Sequence, residues 1–249
     1  MSTKSTKGAW FKVWFNSKYY HLLYNHRNDD EAKAFMQELN QLLGFSGKKM
    51  LDLACGKGRH ARMMQALGAD VTGVDLSEES IAEAKKGETK GLHFQVGDMR
   101  YLDNLPDFDT ICSLFTSFGY FENDDDNLQM LTSVKAHLNK NGHFVLDFLN
   151  GRMVEKCLVA DQIISKDDGD LKVDFHVRKR IENGRVYKNI QFEHAGKKHE
   201  YEEQVRLIDL ALFETWMSAA GFSIIHTFGD YQLNAFDVEN SPRLILICK

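Results

Sequence analysis

Residues 50–60 read Met-Leu-Asp-Leu-Ala-Cys-Gly-Lys-Gly-Arg-His, and they constrain the fold more than any other stretch of the chain. An apolar run ends in a carboxylate, Asp52, and passes into a tight turn carrying Gly56 and Gly58. A helix-compatible segment, Arg59 to Leu67, follows, and then Val71-Thr-Gly-Val-Asp75. Strand, glycine loop, helix and second strand with a terminal acid form a βαβ unit. Such a unit brings backbone close to a nucleotide-like ligand and offers a carboxylate to its ribose hydroxyls.

Two cofactor classes use nearly this pattern. Gly56-Lys-Gly58-Arg-His-Ala61 satisfies the dinucleotide fingerprint, and Asp75 follows at about the expected 20-residue offset. Asp52 argues against that reading. A pyrophosphate would sit on helix N-terminal N–H groups at the mouth of the turn, where a fixed carboxylate opposes it. S-adenosylmethionine carries no phosphate, but has an ammonium, a sulfonium and a carboxylate. A third acid, Asp98, closes the next expected strand in Val96-Gly-Asp-Met99, where it can accept from an adenine amino group. Three acids at three successive strand ends favour the methyl donor over NAD.

In order along the chain, Leu-Asp-Leu-Ala-Cys-Gly-Lys-Gly-Arg-His, Gly-Val-Asp-Leu-Ser and Gly-Asp-Met-Arg are followed by Phe108 to Tyr120, Leu138 to Asp147 and Ser241 to Ile247. This succession resembles the motifs of the class I S-adenosylmethionine-dependent methyltransferases, in particular small-molecule N-methyltransferases. The resemblance implies a doubly wound, seven-stranded Rossmann-like sheet. It implies a backbone cradle at Ala54, Gly56 and Gly58 with Asp52 beneath it. Asp75 would accept from the ribose hydroxyls, Leu76 would lie against the adenine, and Asp98 and Met99 would hold its edge and face. The Leu114 carbonyl would point toward the donor ammonium. Tyr19-Tyr-His-Leu-Leu-Tyr-Asn-His-Arg27 is similar to an N-terminal tyrosine-then-arginine stretch of these enzymes, which implies Tyr20 over the donor and Arg27 on its carboxylate. His21 stands where an Asp often follows the Tyr. Tyr120, just beyond the fourth strand, is the candidate catalytic residue, able to orient or deprotonate a nucleophile.

Periodicity organises the rest. Residues 10–43 read as helical, with aromatic side chains crowded toward the front. Strands are expected near 49–54, 70–75, 92–96, 109–115 and 143–149, with helices between them, the pattern of a parallel sheet covered on both faces. From about residue 162 the period changes to two, and Asn183-Gly184 marks a hairpin. Three antiparallel strands are expected there, before a helix over Asp209 to Ala220 and a final antiparallel pair over Phe222 to Tyr231 and Arg243 to Cys248. The expected division is an N-terminal helical lid (1–45), a cofactor-binding α/β domain (46–160 and 208–249) and an antiparallel β insertion over the acceptor site (161–207).

Composition narrows the partners. A formal net charge of −5 over 249 residues is not a nucleic-acid footprint. No apolar run suits a secretory signal or a membrane span. The four cysteines show no metal-ligand spacing and suit reduced, buried thiols in the cytoplasm. Glu122 to Asp126 has the wrong spacing for a calcium loop and reads as acids at a helix start; no metal site is expected. His60 reads first as a helix-surface residue, with a place bordering the cofactor as the alternative. The leading expectation is methyl transfer to an N or O nucleophile of a small soluble molecule, N first. The alternatives are a methyltransferase of protein or RNA, an NAD-dependent oxidoreductase, and a binding protein without transfer activity.

Overall fold

The computed structural model describes residues 10–24 and 29–249, which fall into two compact units. The larger comprises residues 28–153 and 208–249. Its strands are β1 (Lys49–Leu53), β2 (Asp70–Asp75), β3 (Leu92–Val96), β4 (Phe108–Ser113), β5 (Leu138–Leu149), β10 (Ile224–Phe228) and β11 (Arg243–Cys248). They form one sheet in the order β10-β11-β5-β4-β1-β2-β3. The strands from β3 through β5 run parallel, while β11 is antiparallel to both its neighbours. The helices are α3 (Asp29–Leu43), α4 (Arg59–Ala66), α5 (Glu78–Lys85), α6 (Asp124–Ala136) and α8 (Leu210–Ala219). Central strands such as β1 and β4 are buried almost throughout, as in a parallel sheet covered on both faces.

Register sets the site. Leu53 lies beside Val74 of β2 and Ser113 of β4, and Asp75 lies beside Val96 of β3. The chain therefore leaves the sheet at Ala54, Leu76, Gly97 and Leu114 along one edge, the carboxyl ends of four adjacent strands. In open α/β sheets this is where ligands bind.

The smaller unit comprises residues 1–27 and 154–207. Helices α1 (Trp10–Phe15) and α2 (Lys18–Leu23) pack with a four-stranded antiparallel sheet of β6 (Asp161–Asp167), β7 (Lys172–Glu182), β8 (Arg185–His194) and β9 (Lys197–Arg206). A short helix, α7 (Gly151–Cys157), spans the boundary between the units. The β7–β8 turn is the expected one, with Asn183 and Gly184 both left-handed at φ 50° and 70°. Ala195 and Gly196 repeat it between β8 and β9 at 51° and 71°.

The structure differs from the sequence expectations in four places. The antiparallel sheet has four strands rather than three. Edge strand β6 escaped notice because no residue in it is fully buried and Ile163 stays exposed, so its alternation is shallow. The helical run 10–43 breaks into three helices, and its parts separate. Phe35, Met36 and Leu39 of α3 lie in the core of the larger unit, whereas α1 and α2 belong to the smaller. The unit boundaries are thus 27/28, 153/154 and 207/208, where the sequence suggested 45/46, 160/161 and 207/208. Cys55, Cys112 and Cys248 are buried as expected, but Cys157 is exposed.

Candidate active site

Asp52 is the deepest part of the site. It sits within β1, 2% exposed, next to Gly73 of β2 and Cys112 of β4. It accepts from the Ala61 backbone N–H, but its Oδ2 has no hydrogen-bond partner among the described residues. Burial pushes its carboxyl up to about 7; the Ala61 N–H opposes this, nearby Asp75 adds to it, and Arg59 again opposes it. A buried acceptor with an unused lone pair calls for a cation or a donor from outside the protein.

Above Asp52 the chain makes a turn that ordinary residues resist. Ala54, Gly56 and Gly58 are all left-handed, at φ 57°, 55° and 78°. Gly58 also lacks room: a Cβ there would lie 2.4 Å from Cζ of Phe94. At Gly56 a Cβ would meet nothing within 4 Å, so its backbone borders open space. Arg62 reaches back from α4 to the Lys57 carbonyl at 2.7 Å and pins the turn. The Asp75 carboxylate closes it, accepting from Gly56 N–H and Ser77 N–H, each at 2.8 Å. Burial raises its carboxyl above the usual range, while the Ser77 and Gly56 N–H groups pull it back. Leu76 beside it is half-buried.

At the next strand end, Arg100 forks onto Asp98, with Nη2 2.6 Å from Oδ2 and Nε 3.0 Å from Oδ1. The same guanidinium spans to Asp126 at 3.0 Å and lies over the Phe121 ring. The fork orients the Asp98 carboxylate from one side. Half-buried Met99 lies between Asp98 and Arg100. Asp126 belongs to the first turn of α6 with Asp124 and Asp125, the macrodipole arrangement expected from sequence.

Beyond β4, Leu114 is buried and its carbonyl accepts from the Ser117 hydroxyl at 2.7 Å, leaving a second lone pair. Phe115 and Thr116 turn left-handed, and Tyr120 follows, half-buried and close enough to Arg243 to interact with its charge. His60 is buried, its ring 5.2 Å from that of Phe115, so it is not the helix-surface residue expected. The Arg59 guanidinium covers the same Phe115 ring at 4.6 Å.

Asp52, Ala54, Gly56, Gly58, Asp75, Leu76, Asp98, Met99, Leu114 and Tyr120 thus gather along one end of one sheet. Tyr20 lies in the smaller unit, its ring 4.8 Å from Phe15, 4.9 Å from Tyr24 and 5.7 Å from Trp14. Arg27 lies outside the described residues. Sequence reasoning assigned no role to Arg100, Phe115, Tyr231 or Arg243. Arg100, Phe115 and Arg243 stand in recognised motifs, but nothing local shows what they touch.

The group that fits this edge carries positive charge over Asp52, a diol for Asp75 and no phosphate at the glycine turn. S-adenosylmethionine meets all three conditions, and a dinucleotide fails on Asp52.

Comparison with known proteins agrees. Residues 50–142 match the family model described as a methyltransferase domain. The chain is 24% identical over 248 residues to a protein of Geobacillus sp. (strain WCH70) named for methyltransferase activity, covering 96% of this chain and 98% of that one. It is 28% identical over 130 residues to dTDP-3-amino-3,4,6-trideoxy-alpha-D-glucopyranose N,N-dimethyltransferase of Streptomyces venezuelae, covering 51% and 54%. The crystal structure of an S-adenosylmethionine-dependent methyltransferase from Clostridium acetobutylicum ATCC 824 shares the fold, with TM-score 0.77 at 20% identity over 93% of this chain and 95% of that one.

Proposed function

We propose that this chain, a class I S-adenosylmethionine-dependent methyltransferase, methylates an amine nitrogen of a small soluble molecule. The observation that carries the proposal is the alignment of Asp52, the Ala54–Gly58 turn, Asp75 and the Leu114–Tyr120 loop on one sheet edge. The Streptomyces venezuelae relative, an amino-sugar N,N-dimethyltransferase, supports nitrogen as the acceptor atom and a compact substrate.

When bound, S-adenosylmethionine supplies a methyl group already activated on a sulfonium. The protein's task is then alignment and exclusion of water rather than covalent activation. In this reading Asp52 offsets the positive charge of the donor from below, and the backbone of Ala54, Gly56 and Gly58 approaches it closely. Asp75 takes the ribose hydroxyls; its two backbone N–H partners already fix its orientation. Asp98 accepts from the adenine amino group while Arg100 holds it in place, and Leu76 and Met99 flank the ring. The free lone pair of the Leu114 carbonyl faces the donor ammonium. Tyr120 would orient the acceptor amine, its hydroxyl accepting the amine N–H while passing its own proton on to solvent, so that the phenol is unchanged at the end.

The test is a turnover screen with S-adenosylmethionine and two acceptor panels, small primary and secondary amines (nucleotide-linked amino sugars included) and matched hydroxyl compounds. Methylated product from amines alone supports the proposal, and product from hydroxyls alone overturns its choice of atom.

A further inference from the structure

The loop leaving β4 is held in a conformation its residues disfavour. Phe115 and Thr116 are consecutive left-handed residues, φ 58° and 60°. That region is costly for any side chain with a Cβ and most costly for a β-branched one, and it persists only where the surroundings over-determine it.

A buried network from distant parts of the chain does so. Asp147 of β5 is fully buried; its Oδ2 accepts from the Phe115 N–H at 2.8 Å and its carbonyl from the Thr116 N–H at 3.0 Å. Arg243, which opens β11, donates to Asp147 Oδ1 from Nε at 2.8 Å and lies 2.7 Å from it through Nη2. The same Nη2 donates to Thr116 Oγ1 at 2.9 Å. The Tyr231 hydroxyl donates to Asp147 Oδ2 at 3.1 Å, and its ring stacks on Phe115 with centroids 5.5 Å apart. Burial and then the charge of Asp147 push the Tyr231 hydroxyl well up, so it remains a donor. Each of these hydrogen bonds ends on one of the two strained residues or on a group that holds them.

We propose that Asp147, Arg243 and Tyr231 are positioning residues that lock Phe115 and Thr116 into the left-handed turn, and so set the Leu114 carbonyl and Tyr120 at the site. The inference rests on the roles given above to Leu114 and Tyr120. A glycine pair would adopt the turn without strain but would leave the loop many other conformations. The network supplies one conformation to residues that can also stack and hydrogen-bond.

Arg243→Lys tests it, because an ammonium keeps the charge beside Asp147 but lacks the planar fork that serves Asp147 and Thr116 together. Without cofactor, amide exchange over 114–120 should accelerate. Affinity for S-adenosylhomocysteine should fall roughly tenfold, the scale of one hydrogen bond to a charged group. Adding Thr116→Gly should recover part of that affinity, since glycine accepts the left-handed conformation unaided, but not the slow exchange, since glycine does not fix that conformation. Tyr231→Phe, which removes only the hydroxyl, should show a weaker loss with the same rescue, and it serves if Arg243→Lys does not fold. Unchanged exchange, or a glycine double variant no better than its parent, would overturn the inference. If the unaltered chain bound no S-adenosylhomocysteine, the cofactor reading would fail instead, and the exchange comparison would still decide whether the network holds the loop.

Discussion

Named side chains and backbone turns hold the principal groups of the site, and each can be altered singly. Gly58 is required twice over, by φ 78° and by the Phe94 ring at 2.4 Å from any Cβ. Gly58→Ala should cost roughly 3 kcal/mol in urea unfolding and abolish cofactor binding. Asp52 titrates at about 7 in the folded chain, against 3.8 ordinarily. A raised carboxylate favours the folded state while protonated, so stability should fall as pH rises from about 4 to about 7 and then level off. A cationic ligand favours the ionised form, so S-adenosylmethionine should bind more tightly as pH rises through about 7, with proton release. Titration in buffers of differing ionisation enthalpy reads that proton, and Asp52→Asn should not release it; equal release from both would contradict the role given to Asp52. Tyr120→Phe should lower kcat roughly 100-fold or more with cofactor affinity unchanged. Asp52, Asp75 and the glycines were legible because their signal is contiguous and the turn chemistry needs those residue types. Arg243 and Tyr231 were not, because they reach the Phe115–Thr116 loop from more than a hundred residues away.

Among the elements, one carboxylate is a shared joint between the second sheet and the first two helices, beside the Tyr19–His194 hydrogen bond at 2.9 Å. Glu203 of β9 accepts from Trp14 Nε1 at 2.6 Å and from the Tyr24 hydroxyl at 2.7 Å and 2.8 Å, with Lys188 Nζ 3.6 Å away. Its side chain is only 12% exposed, so its loss would leave Trp14 Nε1 without its acceptor in a nearly dry place, while the Tyr24 hydroxyl would keep Lys188 Nζ. Glu203→Ala should destabilise the chain by about 3 kcal/mol and speed amide exchange across 10–24, whereas a change below about 0.5 kcal/mol would show the contact to be incidental. Four of the five parallel strands were legible to within two residues at each end, because their buried runs lie between helical patterns; β5 begins at Leu138, five residues before the expected start, because its first residues are polar and exposed. The pairing of α1 and α2 with β6–β9 was not, because the aromatic stripe of residues 10–24 shows that a face is buried and not against what. The placement of α3 was lost for the same reason.

For the whole molecule, the candidate site lies on the larger unit at the carboxyl ends of β1 to β4, and the chain carries a formal net charge of −5. Among the described residues no helix is long and apolar enough to cross a membrane. A ligand that binds only the folded larger unit stabilises it by mass action. S-adenosylhomocysteine at a hundredfold excess over its Kd should therefore add about 2.7 kcal/mol and protect amides at the strand ends of β1, β2 and β4. The central claim is that this edge is built for a cationic, phosphate-free nucleoside. Calorimetric titration of the chain with S-adenosylmethionine, S-adenosylhomocysteine and NAD tests it most directly. Roughly micromolar binding of the first two, lost in Asp75→Ala, with no heat from NAD, is the predicted result; binding of NAD with silence from the other two would contradict it.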